Sequence, residues 1–191
     1  MLRWMLAVCA MGCMAVPALG QSATGMKRGI TVELSGGYAY TKFNAGQGWP
    51  NANGFFGGVG LNLTNWLQIY GEGSWQAGTI PQGNTRIIGN HIGARIYDRP
   101  GSNTGMLSPF AEFLAGESRL DLNLTSVDAH FSEHGFSFKA GGGLDVKLTR
   151  HWSVRAIDAD YYRTPFLESH QNNLWLSAGV VFTFGNPKYP D

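Results

Sequence analysis

The sequence predicts an all-β fold: an eight-stranded antiparallel up-and-down transmembrane barrel. Three observations predict it. The first is the run Leu174 to Phe184, where every second residue (Leu174, Leu176, Ala178, Val180, Phe182, Phe184) is apolar. A period of two marks a strand with one apolar face. Eleven residues suit a tilted membrane-crossing strand and are too few for a membrane helix. The second is composition. Charged residues make up 14% and aromatics 13%, with 27 glycines in 191 residues, whereas globular chains carry about 25% charge. Mean hydropathy is nonetheless only −0.12, as expected of strands with one lipid-facing row each. The third is the N-terminus, which reads as an export signal: Arg3, an apolar stretch from Trp4 to Val16, then Ala18-Leu19-Gly20 before a mature start at Gln21. Beyond it no apolar run approaches the ~18 residues of a membrane helix.

The signal bounds the chemistry. A lipoprotein reading, with Ala10-Met11-Gly12 before Cys13, lacks the usual Leu three residues upstream. Both cysteines, Cys9 and Cys13, lie inside the signal, so the mature chain offers no disulfide, zinc thiolate or cysteine nucleophile. Removing Arg3 leaves 13 Lys and Arg against 13 Asp and Glu. That balance argues against a nucleic-acid partner.

Eight segments carry strand character. Ile30–Lys42 alternates Val32, Leu34, Gly36, Tyr38 and Tyr40 with a more polar row. Gly54–Leu63 is glycine-rich and ends in the tight turn Thr64-Asn65. Trp66–Gln76 sets Leu67, Ile69 and Trp75 against Gln68, Tyr70 and Glu72. Thr85–Tyr97 sets Ile88, Ile92, Ala94 and Ile96 against His91 and Arg95. Ser108–Leu120 is less regular, since both rows hold bulky residues; Pro109 suits its start. Phe136–Leu148 opposes Phe136, Phe138, Ala140, Leu144 and Val146 to Lys139, Asp145 and Lys147. In Trp152–Tyr162 the parity breaks: Arg155 and the pair Asp158/Asp160 fall on opposite rows, which a bulge would reconcile. Leu174–Phe184 closes the set.

Connections alternate in length. Tight turns follow strands two and six, at Thr64-Asn65 and Thr149-Arg150-His151. Longer loops follow strands one (Phe43–Asn53), three (Ala77–Asn84), five (Asp121–Gly135) and seven (Arg163–Asn173). Barrels of the outer membrane place short turns in the periplasm and long loops outside. The connection Asp98–Leu107 is longer than that rule allows.

Alternation alone leaves the direction of the apolar row open, because a soluble lipid-binding barrel turns it inward. Mid-strand charges (Glu33, Glu72, Arg95, Lys139, Asp145, Lys147) on the polar row favour apolar-out. So do Trp66 and Trp152 at strand starts, where an interfacial aromatic girdle belongs.

The glycine-rich strands, Gly141-Gly142-Gly143-Leu144-Asp145, the Arg155…Asp160-Tyr161-Tyr162 strand and Leu174–Phe184 resemble small eight-stranded outer-membrane barrels of the OmpA/OmpX type. The resemblance covers Gly29–Gly185. It implies a bacterial outer-membrane location and recognition of the last strand by the barrel-assembly machinery. The chain departs from that pattern in stopping at Asp191, with no peptidoglycan-binding domain, and in carrying the tail Gly185–Asp191 after the terminal aromatic.

Candidate chemistry is sparse. His130-Phe131-Ser132-Glu133-His134 spells the H-x-x-E-H string of inverted zinc proteases, but that chemistry needs a helix and a third ligand. Here the string reads as loop. The polar row (Glu33, Glu72, His91, Arg95, Lys139, Asp145, Lys147, Asp158, Asp160) could line a pore or hold an acid/base pair. An eight-strand barrel is only wide enough for its own side chains, so a packed interior of paired charges is expected, with interior glycines making room for long Arg and Lys chains. Ser169 and His170 are adjacent and would point apart on a strand, unlike the Ser/His pair of a lipid A deacylase. Glycine clusters are not phosphate loops, and the two N-x-T strings are read as chance.

The expected division is 1–20 signal peptide, 21–29 periplasmic segment, 30–185 barrel and 186–191 tail. The expected role is structural or surface-interactive, non-enzymatic and without cofactor or metal. Outer-membrane lipids surround a monomer, with Trp49 and the Asp121–Gly135 loop as contact points. The alternatives are a soluble periplasmic lipocalin-like barrel and an outer-membrane lipid-modifying enzyme. Leu144→Arg is expected to be costly and Gly143→Ser mild.

Overall fold

The computed structural model describes residues 31–43, 51–80, 83–98, 106–124, 129–165 and 171–185. The expected signal and periplasmic segment (residues 1–29), Trp49, Ser169, His170 and residues 186–191 lie outside these. Eight strands form: β1 Thr31–Lys42, β2 Ala52–Asn62, β3 Leu67–Ile80, β4 Gly83–Tyr97, β5 Leu107–Leu124, β6 Ala129–Lys147, β7 Trp152–Thr164 and β8 Gln171–Phe184. Each pairs antiparallel with the next, and β1 pairs with β8, from Val32 opposite Phe184 to Lys42 opposite Leu174, so the sheet closes.

Both tight turns use the same device. Thr64 Oγ1 accepts from Leu67 N at 2.9 Å, and Thr149 Oγ1 accepts from Trp152 N at 3.1 Å. A hydroxyl two or three residues ahead of the strand satisfies an amide that the ladder leaves over. These turns define one end of the barrel, called here the turn end; the other is the loop end.

The apolar row faces outward on every strand. Phe55 and Ile92 are each 65% exposed and Phe136 68%, while Glu72, Arg95 and Lys139 are buried. The soluble, apolar-in alternative therefore fails: its binding cup would be lined with charges. The parity break in β7 is a bulge, as expected. Asp145 sits opposite Arg155 and Leu144 opposite Ile157, so Ala156 is the extra residue. It lets Arg155, Asp158 and Asp160 all turn inward.

Several strands run past their expected ends. The segments 77–80 and 121–124 are strand rather than loop, as is β6 from Ala129. Polar alternation continues the ladder there with no lipid to demand an apolar row. The consequence is an uneven rim. β5 and β6 run 18 and 19 residues, against 12 for β1 and 11 for β2. Among the described residues β7 meets β6 only from Phe138 onward, and Ala129–Ser137 pairs with β5.

Candidate functional site: the barrel interior and its loop end

The interior is filled in layers. Nearest the loop end, Phe43, Ala52, Ile87 and Leu120 form an apolar plug. Leu120 turns inward on β5, as do Phe110 and Leu114, which explains why strand five kept no clean parity in the sequence. Below it, Lys139 Nζ lies 2.5 Å from Glu72 Oε1 and 3.1 Å from the centre of the Trp175 ring. His91 Nε2 meets Ser137 Oγ at 2.8 Å, and Ser118 bridges Ser137 and Tyr162.

The next layer holds two guanidiniums. Arg155 grips Asp145 through Nε at 3.0 Å and Nη2 at 3.3 Å. Arg95 pairs with Glu112 and lies 3.3 Å over the Tyr70 ring. Both guanidiniums reach Asp158, at 3.5 and 3.7 Å. At the turn end Glu33 accepts from Gln68 Nε2 at 2.6 Å and from Asn62 Nδ2 at 2.8 Å.

Paired charges thus account for most of the interior, since a buried ion persists only with a partner. The expectation fails at Asp160: among the described residues its buried carboxylate has no Lys or Arg partner and meets the Glu112 carboxyl instead. Among the described residues six buried carboxylates face three buried Lys and Arg side chains. Glu112, Asp158 and Asp160 bring oxygens within 4.8 Å of one another. Two of the three already have a cation beside them: Arg95 pairs with Glu112 and reaches Asp158. Sequence reading missed Glu112, Gln68 and Asn62 as members of the network. Glu112 sits in step with Phe110 and Leu114, and that row becomes legible once its apolar members are assigned to the interior.

Interior glycines make room for neighbours other than those expected. A Cβ on Gly58 would strike the Tyr70 ring, one on Gly60 the Gln68 amide, and one on Gly89 the His91 ring. They accommodate aromatic and amide groups rather than Lys and Arg.

The H-x-x-E-H string lies on β6, not in a loop. Alternation puts His130 and His134 on one face and Glu133 on the other. A zinc protease needs the histidines and the glutamate together on one helix, so this geometry cannot supply that chemistry.

The model of the outer membrane protein β-barrel domain matches residues 6–184. The chain belongs to this outer-membrane β-barrel family. It therefore resides in the bacterial outer membrane, surrounded by lipid. Solved structures of the same fold include Ail, the attachment invasion locus protein of Yersinia pestis, at 18% identity and TM-score 0.54, covering 80% of this chain and 99% of Ail. OprG from Pseudomonas aeruginosa matches at 11% identity and TM-score 0.55, covering 84% and 98%. The N-terminal barrel domain of OprF from Pseudomonas aeruginosa matches at 16% and 0.51, covering 81% and 97%. Ail has also been solved in complex with the heparin analogue sucrose octasulfate. No curated protein sequence matches the chain.

Proposed function

We propose that this family member is a non-catalytic barrel whose interior is sealed and whose loop end faces outside the cell and makes its contacts there. The observation that carries the reading is the contrast between the two regions. Across the interior run Lys139–Glu72, Arg95–Glu112 and Arg155–Asp145, and the cavity beside Glu33, Tyr97 and Asp145 at the turn end holds about 40 Å³. At the loop end β3 to β6 extend into a raised sheet, its rows of side chains carried beyond the shorter β1 and β2. Such a raised rim is where a barrel meets other molecules.

The chain enters the membrane as a monomer, its termini in the periplasm after removal of residues 1–20, and Phe184 serves as the handle for the assembly machinery. The complex of Ail with a sulfated sugar supports a surface-binding role for this architecture without naming a ligand for this chain.

Two measurements test the proposal. In planar bilayers the folded protein is expected to conduct no more than background; a stable conductance step would overturn the sealed interior. In intact cells, Ser132→Cys on β6 is expected to react with a membrane-impermeant maleimide, and labelling only after lysis would overturn the orientation.

A further inference from the structure

The outer wall of the barrel carries a polar recess where its apolar belt stops. Three outward-facing rows cross strands β2 to β5 near the loop end. The first is apolar: Phe55 opposite Trp75, and Trp75 opposite Ile88. The second is Asn53 opposite Ala77, and Ala77 opposite Arg86. The third is Thr79 opposite Asn84, and Asn84 opposite Asn123. Together the upper two rows and Trp75 line a cavity of about 650 Å³. Ala77 forms its floor because a single methyl stands where both neighbours carry longer polar chains.

The recess holds an available cation. Arg86 Cζ lies 5.9 Å from the centre of the Trp75 ring. The carboxylate across the ladder, Asp121, is engaged by Arg119 at 2.9 Å. Among the described residues Arg86 has no ion-pair partner. A guanidinium presents a donor fork that matches phosphate. Asparagine amides both donate to and accept from hydroxyls. An indole offers a flat apolar face with a polar edge, the form favoured at membrane interfaces.

Position selects the occupant. The recess begins one row beyond Phe55, Trp75 and Ile88, the outward apolar row nearest the loop end on β2 to β4, and in barrels of this kind the apolar belt ends in aromatics at the level of the lipid headgroups. We propose that it binds the phosphorylated sugar headgroup of an outer-leaflet lipid. Arg86 holds the phosphate, Asn53, Asn84 and Asn123 read the sugar hydroxyls, and Trp75 stacks beneath. The inference rests on the outward orientation of the loop end proposed above.

The test uses the purified barrel in phosphatidylcholine nanodiscs doped with bisphosphorylated lipid A, with retained lipid counted by native mass spectrometry. Wild type is expected to retain lipid A, and Arg86→Gln to retain about tenfold less, the scale of one charge-assisted hydrogen-bond pair. Arg150→Gln, at the turn end, is expected to match wild type. The double variant Asn84→Ala/Asn123→Ala is expected to weaken retention while leaving the folded gel band intact. Equal retention by Arg86→Gln and wild type would overturn the site. Equal retention of phosphatidylglycerol would show a response to charge alone and would overturn the sugar-phosphate assignment. Displacement by free glucosamine 1-phosphate at equal concentration would overturn the commitment to a lipid. If Ser132→Cys labels in intact cells while Arg86→Gln is silent, the headgroup site falls and the orientation stands; if labelling fails, both fall.

Discussion

Lys139 Nζ sits between the Glu72 carboxylate, 2.5 Å away, and the face of the Trp175 ring, 3.1 Å from its centre. This ammonium joins strands β3, β6 and β8 across the barrel lumen. Lys139→Met leaves Glu72 as an uncompensated buried charge, so it is expected to cost about 3–5 kcal/mol. Adding Glu72→Leu removes that charge and is expected to restore more than half of the loss. Urea unfolding in detergent micelles, followed by tryptophan fluorescence, reads both variants. No recovery in the double variant would mean that the pair matters through packing rather than charge.

Asp145 and Asp160 make opposite predictions from similar burial. Asp145 holds a two-point grip from Arg155, and Asp145→Asn is expected to cost about 3 kcal/mol. Asp160 has no cationic partner among the described residues and lies against the carboxyls of Glu112 and Asp158. Asp160→Asn is expected to leave stability within about 1 kcal/mol of wild type or to raise it. The same unfolding assay compares them; a larger loss at Asp160 than at Asp145 would contradict the pairing scheme.

The lipid face is tested by depth. Ile92, 65% exposed on the outer wall, lies mid-strand, and Ile92→Arg is expected to cost about 2–4 kcal/mol, with Leu144→Arg of the same sign. Gly143→Ser, expected from sequence to be mild, is now expected to be costly. Its Cβ would come within 2.7 Å of Phe110 Cζ and would strike the Ile157 carbonyl. A better inward control is Ser35→Ala, which removes a 2.7 Å hydrogen bond to Tyr70 at about 1 kcal/mol. Refolding equilibria in lipid vesicles rank the four.

Gly37 faces Gly179 where β1 meets β8. A Cβ on Gly179 would approach Gly37 Cα at 2.9 Å. Gly179→Val is therefore expected to prevent closure, seen as loss of heat-modifiable gel migration. Ala178→Val, one residue along on the outer face, is expected to keep it.

The strands and their facing were legible because lipid outside and packed charge inside impose opposite demands on alternate residues. Leu174–Phe184 keeps its outward row apolar throughout, and Phe136–Leu148 adds Lys139 and Asp145 to the inward row. Even the bulge was visible, because Arg155 and Asp158 cannot both turn inward on an unbroken ladder. Legibility ended where lipid ends. The segments 77–80 and 129–135 keep no clean apolar row, and in 121–124 the row led by Leu120 and Leu122 packs on the interior plug instead of facing lipid, so these extensions read as loop. The candidate interior was partly legible. Glu72 and Lys139 stood out as charges in apolar surroundings, whereas Glu112 was hidden by inward-facing Phe110 and Leu114. The headgroup recess was not legible, since it depends on Arg86, Asn84 and Asn123 coming together from two strands with Trp75 beneath them.

The pairing of β1 with β8 makes truncation at the C-terminus unlike trimming a soluble sheet. Without β8, both β7 and β1 would present raw backbone to hydrocarbon, where each unsatisfied group costs several kcal/mol. Seven strands are therefore not a slightly weaker version of eight. The chain stays in the membrane as a finished ring or not at all, and quality control in the cell envelope need only ask whether its two ends have met.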